Sequence, residues 1–244
     1  EMCIRDRFII CYSDSMELEM EKLIGIGIYS IPEASRLTGV PNNTIYRWVR
    51  GYEYGLQEDK RRIDPLWERD IPEFEGENAI SFLDLLEIRF INAFRKAGVS
   101  WKFIRDAAQK AQEVFNTTHP FTTQKFRTDG RHIFSSFKEN NKELTLDLNN
   151  ANYAIKKIIE PSLYKGIEFE SNQAARWYPD KKKHIVIDPE RSFGRPILNI
   201  SGIATDVLYS AYEAEGDEKV VANWYDIDAT LVKSAVEYEK GLRI

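Results

Sequence analysis

The 244-residue sequence is poor in the residues that usually carry redox, metal or nucleophilic chemistry, with two cysteines, three histidines and three methionines. No apolar run approaches the ~20 residues needed to span a bilayer, so neither a membrane-spanning segment nor an obvious anchor is expected. Cys3 and Cys11 both precede the globular region and lack clustered histidines, which argues against a disulfide framework and against a structural zinc site. His119, His132 and His184 are scattered without metal-ligand spacing and read as surface or hydrogen-bonded histidines. Gly-x-Ser-x-Gly elbows, phosphate-cradling glycine loops and zinc-peptidase helices are missing. Asp206, Asp217, Asp226 and Asp228 are the carboxylates a metal-dependent nuclease would need. At least three of them fall where helices begin, and there capping and the helix dipole account for an acid. No catalytic, cofactor-binding or metal-binding residue is therefore assigned, and the chain is expected to be a non-enzyme without a cofactor.

What is present is the composition of a soluble globular protein: 43% hydrophobic and 30% charged residues, at a length that fits two domains. Few cysteines fit a reducing, cytoplasmic setting. The opening Met2-Cys3-Ile4-Arg5-Asp6 corresponds to ATG TGT ATA AGA GAC, which resembles a transposase-end adapter from sequencing libraries. Residues 1–15 are accordingly set aside as adapter read-through or tail, with a start expected near Met16 in a bacterial gene from environmental DNA. The net charge of −5 is unevenly spread. Residues 91–138 carry nine bases against three acids, and residues 197–244 carry four against nine. A basic middle and an acidic end suit one polyanionic partner and one different partner, although two solvated faces would look the same.

Ser30-Ile31-Pro32-Glu33 has the form of a capping box with proline in the first turn, which opens a helix. Ile31, Ala34 and Leu37 share one side of it, and Gly39 is placed to end it in the left-handed conformation. A second helix restarts over Val40-Pro41-Asn42-Asn43, with Ile45, Trp48 and Val49 inward and Asn42, Asn43, Tyr46, Arg47 and Arg50 outward. Asparagine pairs bidentately with adenine and arginine with guanine or phosphate, and a short helix fits the ~12 Å major groove.

This segment resembles the helix-turn-helix of MerR-like and excisionase-like regulators, whose second helix runs Gly-Val, a capping residue, a Thr-aliphatic pair, then an aromatic and arginine cluster. Those positions read Gly39-Val40, Asn43, Thr44-Ile45 and Tyr46-Arg47-Trp48-Val49-Arg50, with Pro41 where serine is common. Lys60-Arg61-Arg62 is either a basic wing against phosphates or a solvated turn after Glu58 and Asp59. The apolar stripe from Ile80 through Phe94 runs to Gly98, which closes its helix. Ser100 then caps another carrying Phe103, Ile104, Ala107 and Ala108. MerR-like proteins have a helix, a glycine turn and a helix at this place.

Beyond Asn116 the pattern alternates. Phe121 to Phe137 reads as a hairpin around Asp129-Gly130, Leu144 to Leu148 as a strand, Tyr153 to Ile159 as a short helix and Ile167 to Phe169 as a strand. Then come Asp188-Pro189, Gly194-Arg195-Pro196 and helices expected over Thr205 to Ala214, Asp217 to Trp224 and Asp228 to Lys240. This order resembles the domain-of-unknown-function family 433, departing from it at Ile203-Ala204-Thr205. The resemblance implies a VapB-type bacterial antitoxin that faces a PIN-like nuclease toxin.

The expected fold class is α+β: an N-terminal MerR-like winged helix-turn-helix over 16–116, a small β-rich mixed α/β connection over 117–174, and a C-terminal antitoxin-like three-helix head with a short β-hairpin over 175–244. The expected function is a DNA-binding transcriptional regulator that acts as an antitoxin. It is expected to autoregulate its operon as a homodimer on double-stranded operator DNA and to neutralise a PIN-like toxin. A stand-alone MerR-like transcription factor with a dimerising or ligand-sensing C-terminal domain is the alternative. The expected DNA-binding residues are Asn42, Asn43, Thr44, Tyr46, Arg47, Arg50, Lys60, Arg61 and Arg62.

Overall fold

The computed structural model describes residues 23–55, 59–73, 78–128 and 163–242. These form an α+β protein with small two-stranded sheets, divided into two compact units. One unit comprises Ser30–Lys165 with Phe169–Ala174; the other joins Glu1–Tyr29 and Gly166–Glu168 to Ala175–Ile244.

In the first unit, α1 (Ile31–Thr38) opens on the expected capping box. The Ser30 hydroxyl accepts the Glu33 amide at 3.2 Å, and the Glu33 carboxylate accepts the Ser30 amide at 2.9 Å. Gly39 ends the helix at φ 67. α2 (Asn42–Arg50) follows and buries Ile45, Trp48 and Val49, as their spacing predicts. Next come β1 (Tyr52–Tyr54) and β2 (Arg61–Ile63), which pair antiparallel with Tyr52 opposite Ile63 and Tyr54 opposite Arg61.

Helix α3 (Phe82–Lys96) is the axis of this unit. It is apolar almost all round, which is what a fully enclosed helix requires, and it buries Phe82, Leu85, Leu86, Ile88, Phe90, Ile91 and Phe94 together with two acids, Asp84 and Glu87. Gly98 closes its C-terminal turn and the Ser100 hydroxyl caps α4 (Trp101–Phe115), accepting the Phe103 amide at 3.2 Å. Phe103, Ile104, Ala107 and Ala108 face the core.

The expected hairpin from Phe121 needs correction. Pro120–Thr122 is a 3-10 turn, and residues 124–128 are helical. The Thr123 hydroxyl accepts the Phe126 amide at 3.0 Å, an N-cap that outweighs the β-leaning Lys-Phe-Arg-Thr composition. Phe126 then packs edge-on against Phe121 at 4.9 Å. Asp129-Gly130 and the strand and helix expected over 144–159 lie outside the described residues. The strand expected at Ile167 is present as β3 (Ile167–Glu170), turning back into β4 (Gln173–Trp177). Ser171 and Asn172, at φ 48 and 73, supply the two positive dihedrals of a tight hairpin turn.

In the second unit, β5 (Ile185–Val186) and β6 (Ile197–Leu198) pair antiparallel beside α5 (Thr205–Glu215), α6 (Glu218–Tyr225) and α7 (Ala229–Leu242). The three helices fall within two residues of their expected bounds. Ile185, Leu198, Leu208, Val221, Val232 and Val236 form the core of this head. Asp217 caps α6 and Asp228 caps α7, each through a 2.7 Å bond to an amide two residues on. Among the described residues, no helix is long and apolar enough to cross a membrane.

Candidate nucleic-acid interface

The entry into α2 differs from the expected one. Pro41, with no side-chain acceptor, occupies the cap position in place of Asn43, and its carbonyl receives the Thr44 and Ile45 amides at 2.8 and 3.1 Å. Proline at this point supplies a pre-set φ of −58 and no amide of its own to satisfy. Neither asparagine is spent on capping. Asn42, Asn43, Tyr46 and Arg47 are all exposed, whereas Thr44 and Arg50 are half-buried.

The wing starts at Gly51, where the chain reverses at φ 71 and passes so close to β2 that a Cβ would lie 2.2 Å from the Ile63 carbonyl oxygen. Its far end is stitched to the helices. The Leu66 amide donates to the Trp48 carbonyl at 3.2 Å, and Arg105 of α4 donates to the Asp64 and Pro65 carbonyls at 2.8 and 3.3 Å. Trp48 stacks on Trp101 at 5.5 Å, fixing α2 against α4.

Three of the expected DNA-facing bases already have acidic partners. Arg50 donates to Glu73 at 2.6 Å, Lys60 lies 3.6 Å from Glu53, and Arg62 lies 3.4 Å from Asp64. The Arg50 guanidinium also bonds the Tyr46 hydroxyl and sits 5.2 Å from the centre of its ring. Arg47 lies 5.6 Å from the ring centre of Tyr52, and Tyr52 and Tyr54 stand exposed along β1. Sequence reasoning picks out the bases of the wing and passes over these two tyrosines and the three acids; the short aromatic repeat Tyr-x-Tyr after Gly51 is the available signal. Part of the basic middle is structural: Arg95 donates to the Val99 carbonyl at 2.7 Å and Arg105 holds the wing.

The same unit holds a buried polar cluster that no local motif announces. His119 is fully enclosed rather than on the surface, its Nε2 2.9 Å from Asp84 Oδ1 and 3.6 Å from Asp70 Oδ2. Trp67 Nε1 donates to the same Asp84 oxygen, the Ser81 hydroxyl donates to Asp70 at 2.6 Å, and His119 Nδ1 lies 2.9 Å from the Thr118 hydroxyl. Asp70, Asp84 and His119 have the donor types of a cation site, with ligand atoms within 4.8 Å of one another. Each of those atoms is already engaged by a hydrogen-bond partner, so the arrangement reads as an internal ion pair that ties the segment before α3, the α3 N-terminus and the α4 exit together. Burial alone would lower the His119 pKa, but the hydrogen bond and charge of Asp84, with the charge of Asp70, raise it. Burial raises Asp70, with partial relief from His119. Glu87, fully enclosed, is pushed up to about 8 by burial, against the pull of His119 and the amides of Phe121 and Thr122. Neutral Glu87 accepts the Phe121 amide at 2.8 Å.

In the head, Asp206 pairs with Arg195 at 2.5 Å in the first turn of α5, and Asp226 holds the left-handed C-cap of α6 at φ 51. Among the described residues Asp206, Asp217, Asp226 and Asp228 form no cation-binding group. His184 Nδ1 lies 2.8 Å from the Ser234 hydroxyl, and His132 falls outside the described residues.

Residues 27–108 match a family model described as "Putative DNA-binding HTH domain". The chain is 26% identical, over 234 aligned residues covering 90% of it and 96% of the relative, to a protein of Mycobacterium tuberculosis named "Putative antitoxin VapB45". The crystal structure of Rv2018 from Mycobacterium tuberculosis shares the fold, with a TM-score of 0.67 and 20% identity over 87% of this chain and 99% of that one. The N-terminal domain is thus a helix-turn-helix.

Proposed function

We propose that this chain is a DNA-binding regulator and the antitoxin of a toxin–antitoxin pair, acting by binding and not by turnover. The observation that carries the DNA reading is the exposed outer face of α2 beside a two-stranded wing, in a domain similar to DNA-binding helix-turn-helix domains. Asn42, Asn43, Thr44, Tyr46, Arg47 and Arg50 read the major groove and its flanking phosphates, while Lys60, Arg61 and Arg62 track the backbone from the wing in a MerR-like arrangement. A homodimer covers two half-sites of its own operator in the bacterial cytoplasm.

The antitoxin half of the reading is supported by the similarity to VapB45 over nearly the whole of that protein, and by the character of the head. Residues 197–244 are acidic, and Trp224 on α6 is 58% exposed, with Val220 one turn earlier at 37%. An apolar anchor rimmed by acids suits a basic partner protein, here a PIN-like nuclease, with fast and salt-sensitive association. The proposed division is DNA reading by 16–116 and partner binding by 175–244, with 117–174 between them.

Two measurements test this. Arg47→Ala with Arg50→Ala should abolish retention of a duplex from the chain's own promoter at moderate salt; unchanged retention removes the DNA reading. Co-expression with the adjacent reading frame should co-purify a PIN-like protein whose nuclease activity is suppressed. Promoter binding without such a partner would instead mark a stand-alone transcription factor.

A further inference from the structure

We propose that Glu73 is a positioning residue of the DNA-reading surface, a latch that holds Arg50 in the unbound chain and must open before Arg50 engages DNA. The inference rests on the DNA reading above. Arg50 is the last residue of α2, and its guanidinium is held on two sides, by Glu73 Oε2 at 2.6 Å and by the Tyr46 hydroxyl. The acid comes from a segment 23 residues away, so the pair is no by-product of helical spacing. The chain just before it is anchored. Ile71 is fully buried two residues before Glu73, and the Ser81 hydroxyl holds Asp70 at 2.6 Å.

The other two pairs at this surface are looser. Lys60–Glu53 and Arg62–Asp64 are separated by 3.6 and 3.4 Å with side chains 57–77% exposed, against 33–34% for Glu73 and Arg50. Salt and water screen the wing pairs readily, and the Arg50 pair less so. For Arg50, leaving Glu73 for a phosphate exchanges one oxyanion for another and leaves a carboxylate facing a polyanion. Leaving it for guanine gains two directed hydrogen bonds to O6 and N7, which can offset that cost. Opening the latch costs the same on either route, so it weakens binding to a recognised duplex at least as much as binding to a random one.

The test uses the full chain and two fluorescent duplexes of equal length, one selected by the wild-type protein from a randomised pool and one scrambled, read by anisotropy. Glu73→Gln keeps the side-chain shape and removes the charge. It should tighten binding to the selected duplex about fivefold, at least as much as to the scrambled duplex, and steepen the scrambled-duplex salt dependence by about one in log–log slope. In an Arg50→Ala background the same substitution should change scrambled binding by less than about twofold. If its gain persists undiminished without Arg50, Glu73 is only a repelling charge and the latch is refuted. Tightening on the scrambled duplex with none on the selected duplex also refutes it. If the wild-type chain selects no duplex at all, the DNA reading fails and the latch with it, a result distinct from the other two.

Discussion

Replacing Glu87 with glutamine should make the protein more stable at alkaline pH while leaving it nearly unchanged near pH 5. In the folded chain Glu87 is enclosed on α3, and burial pushes its pKa from 4.5 to about 8. Below pH 4.5 both folded and unfolded chains hold the proton, and the group is neutral in the balance. As pH rises, the unfolded chain ionises freely while the folded chain cannot, so stability falls through the window up to the folded value. At ~1.4 kcal/mol for each tenfold difference in proton affinity between the folded and unfolded chains, the loss is on the order of 3 kcal/mol at pH 7 and approaches 5 kcal/mol above pH 8. Glutamine keeps a carbonyl for the Phe121 amide and carries no proton to lose, so the variant escapes this loss at a cost of about 1 kcal/mol for an imperfect amide fit. His119 acts in the same direction in both proteins, because its raised folded pKa gives stability that is present below 6.5 and lost as pH rises through the folded value. The quantity to follow is therefore the difference between variant and wild type. Urea midpoints at pH 5, 6.5 and 8 give it directly. A difference that stays constant across the three pH values would show that Glu87 is not held neutral by the fold.

Gly51→Ala should lower stability by about 2–4 kcal/mol and abolish DNA retention, since the position combines a positive φ with a 2.2 Å approach to the Ile63 oxygen; calorimetry and anisotropy measure the two effects. Thr205→Val removes the hydroxyl that donates to Glu239 at 2.6 Å inside the head and should cost about 1–3 kcal/mol in urea unfolding, with Thr205→Ser restoring most of it. Tyr52→Ala and Tyr54→Ala should each weaken DNA binding by about three- to tenfold while leaving the thermal midpoint within about 2 °C of wild type, because both rings are exposed.

What was legible in the sequence was local. Ser30 and Glu33, Gly39, Gly98 and Ser100, and Asp217 and Asp228 act on backbone groups within four residues, so a single short window contains both halves of each interaction. The same range limit explains the miss after Phe121. Lys125 to Thr128 has the composition of a strand, and the deciding bond comes from Thr123, whose hydroxyl serves equally well in a turn, a strand or a cap until the neighbouring core chooses. The His119 cluster was out of reach for another reason. Its partners lie 35 and 49 positions upstream, and Asp84 and Glu87 are embedded in an otherwise apolar stripe that reads as core whether or not two acids interrupt it. Pro41 shows the reverse case, in which a resemblance suggested Asn43 as the cap and the local chemistry of proline decided otherwise.

Charge shows where counting residues fails. The five bases Arg47, Arg50, Lys60, Arg61 and Arg62 would, if each met a phosphate, give a log–log salt slope of about −4.5 per chain. Three of them already stand beside Glu73, Glu53 and Asp64. A base that exchanges a carboxylate for a phosphate releases a counterion from the DNA but leaves an acid that must recruit one, so the exchange contributes almost nothing to the slope. The expected value is therefore about −2 per chain on scrambled DNA, measured by anisotropy between about 50 and 300 mM KCl. A slope near −4.5 would mean that the acids retain no hold on the bases once DNA arrives. A slope near −2 that steepens stepwise when Glu53, Asp64 and Glu73 are converted in turn to their amides would show that an acidic chain can present a DNA-reading surface whose net charge is set by pairing and not by composition.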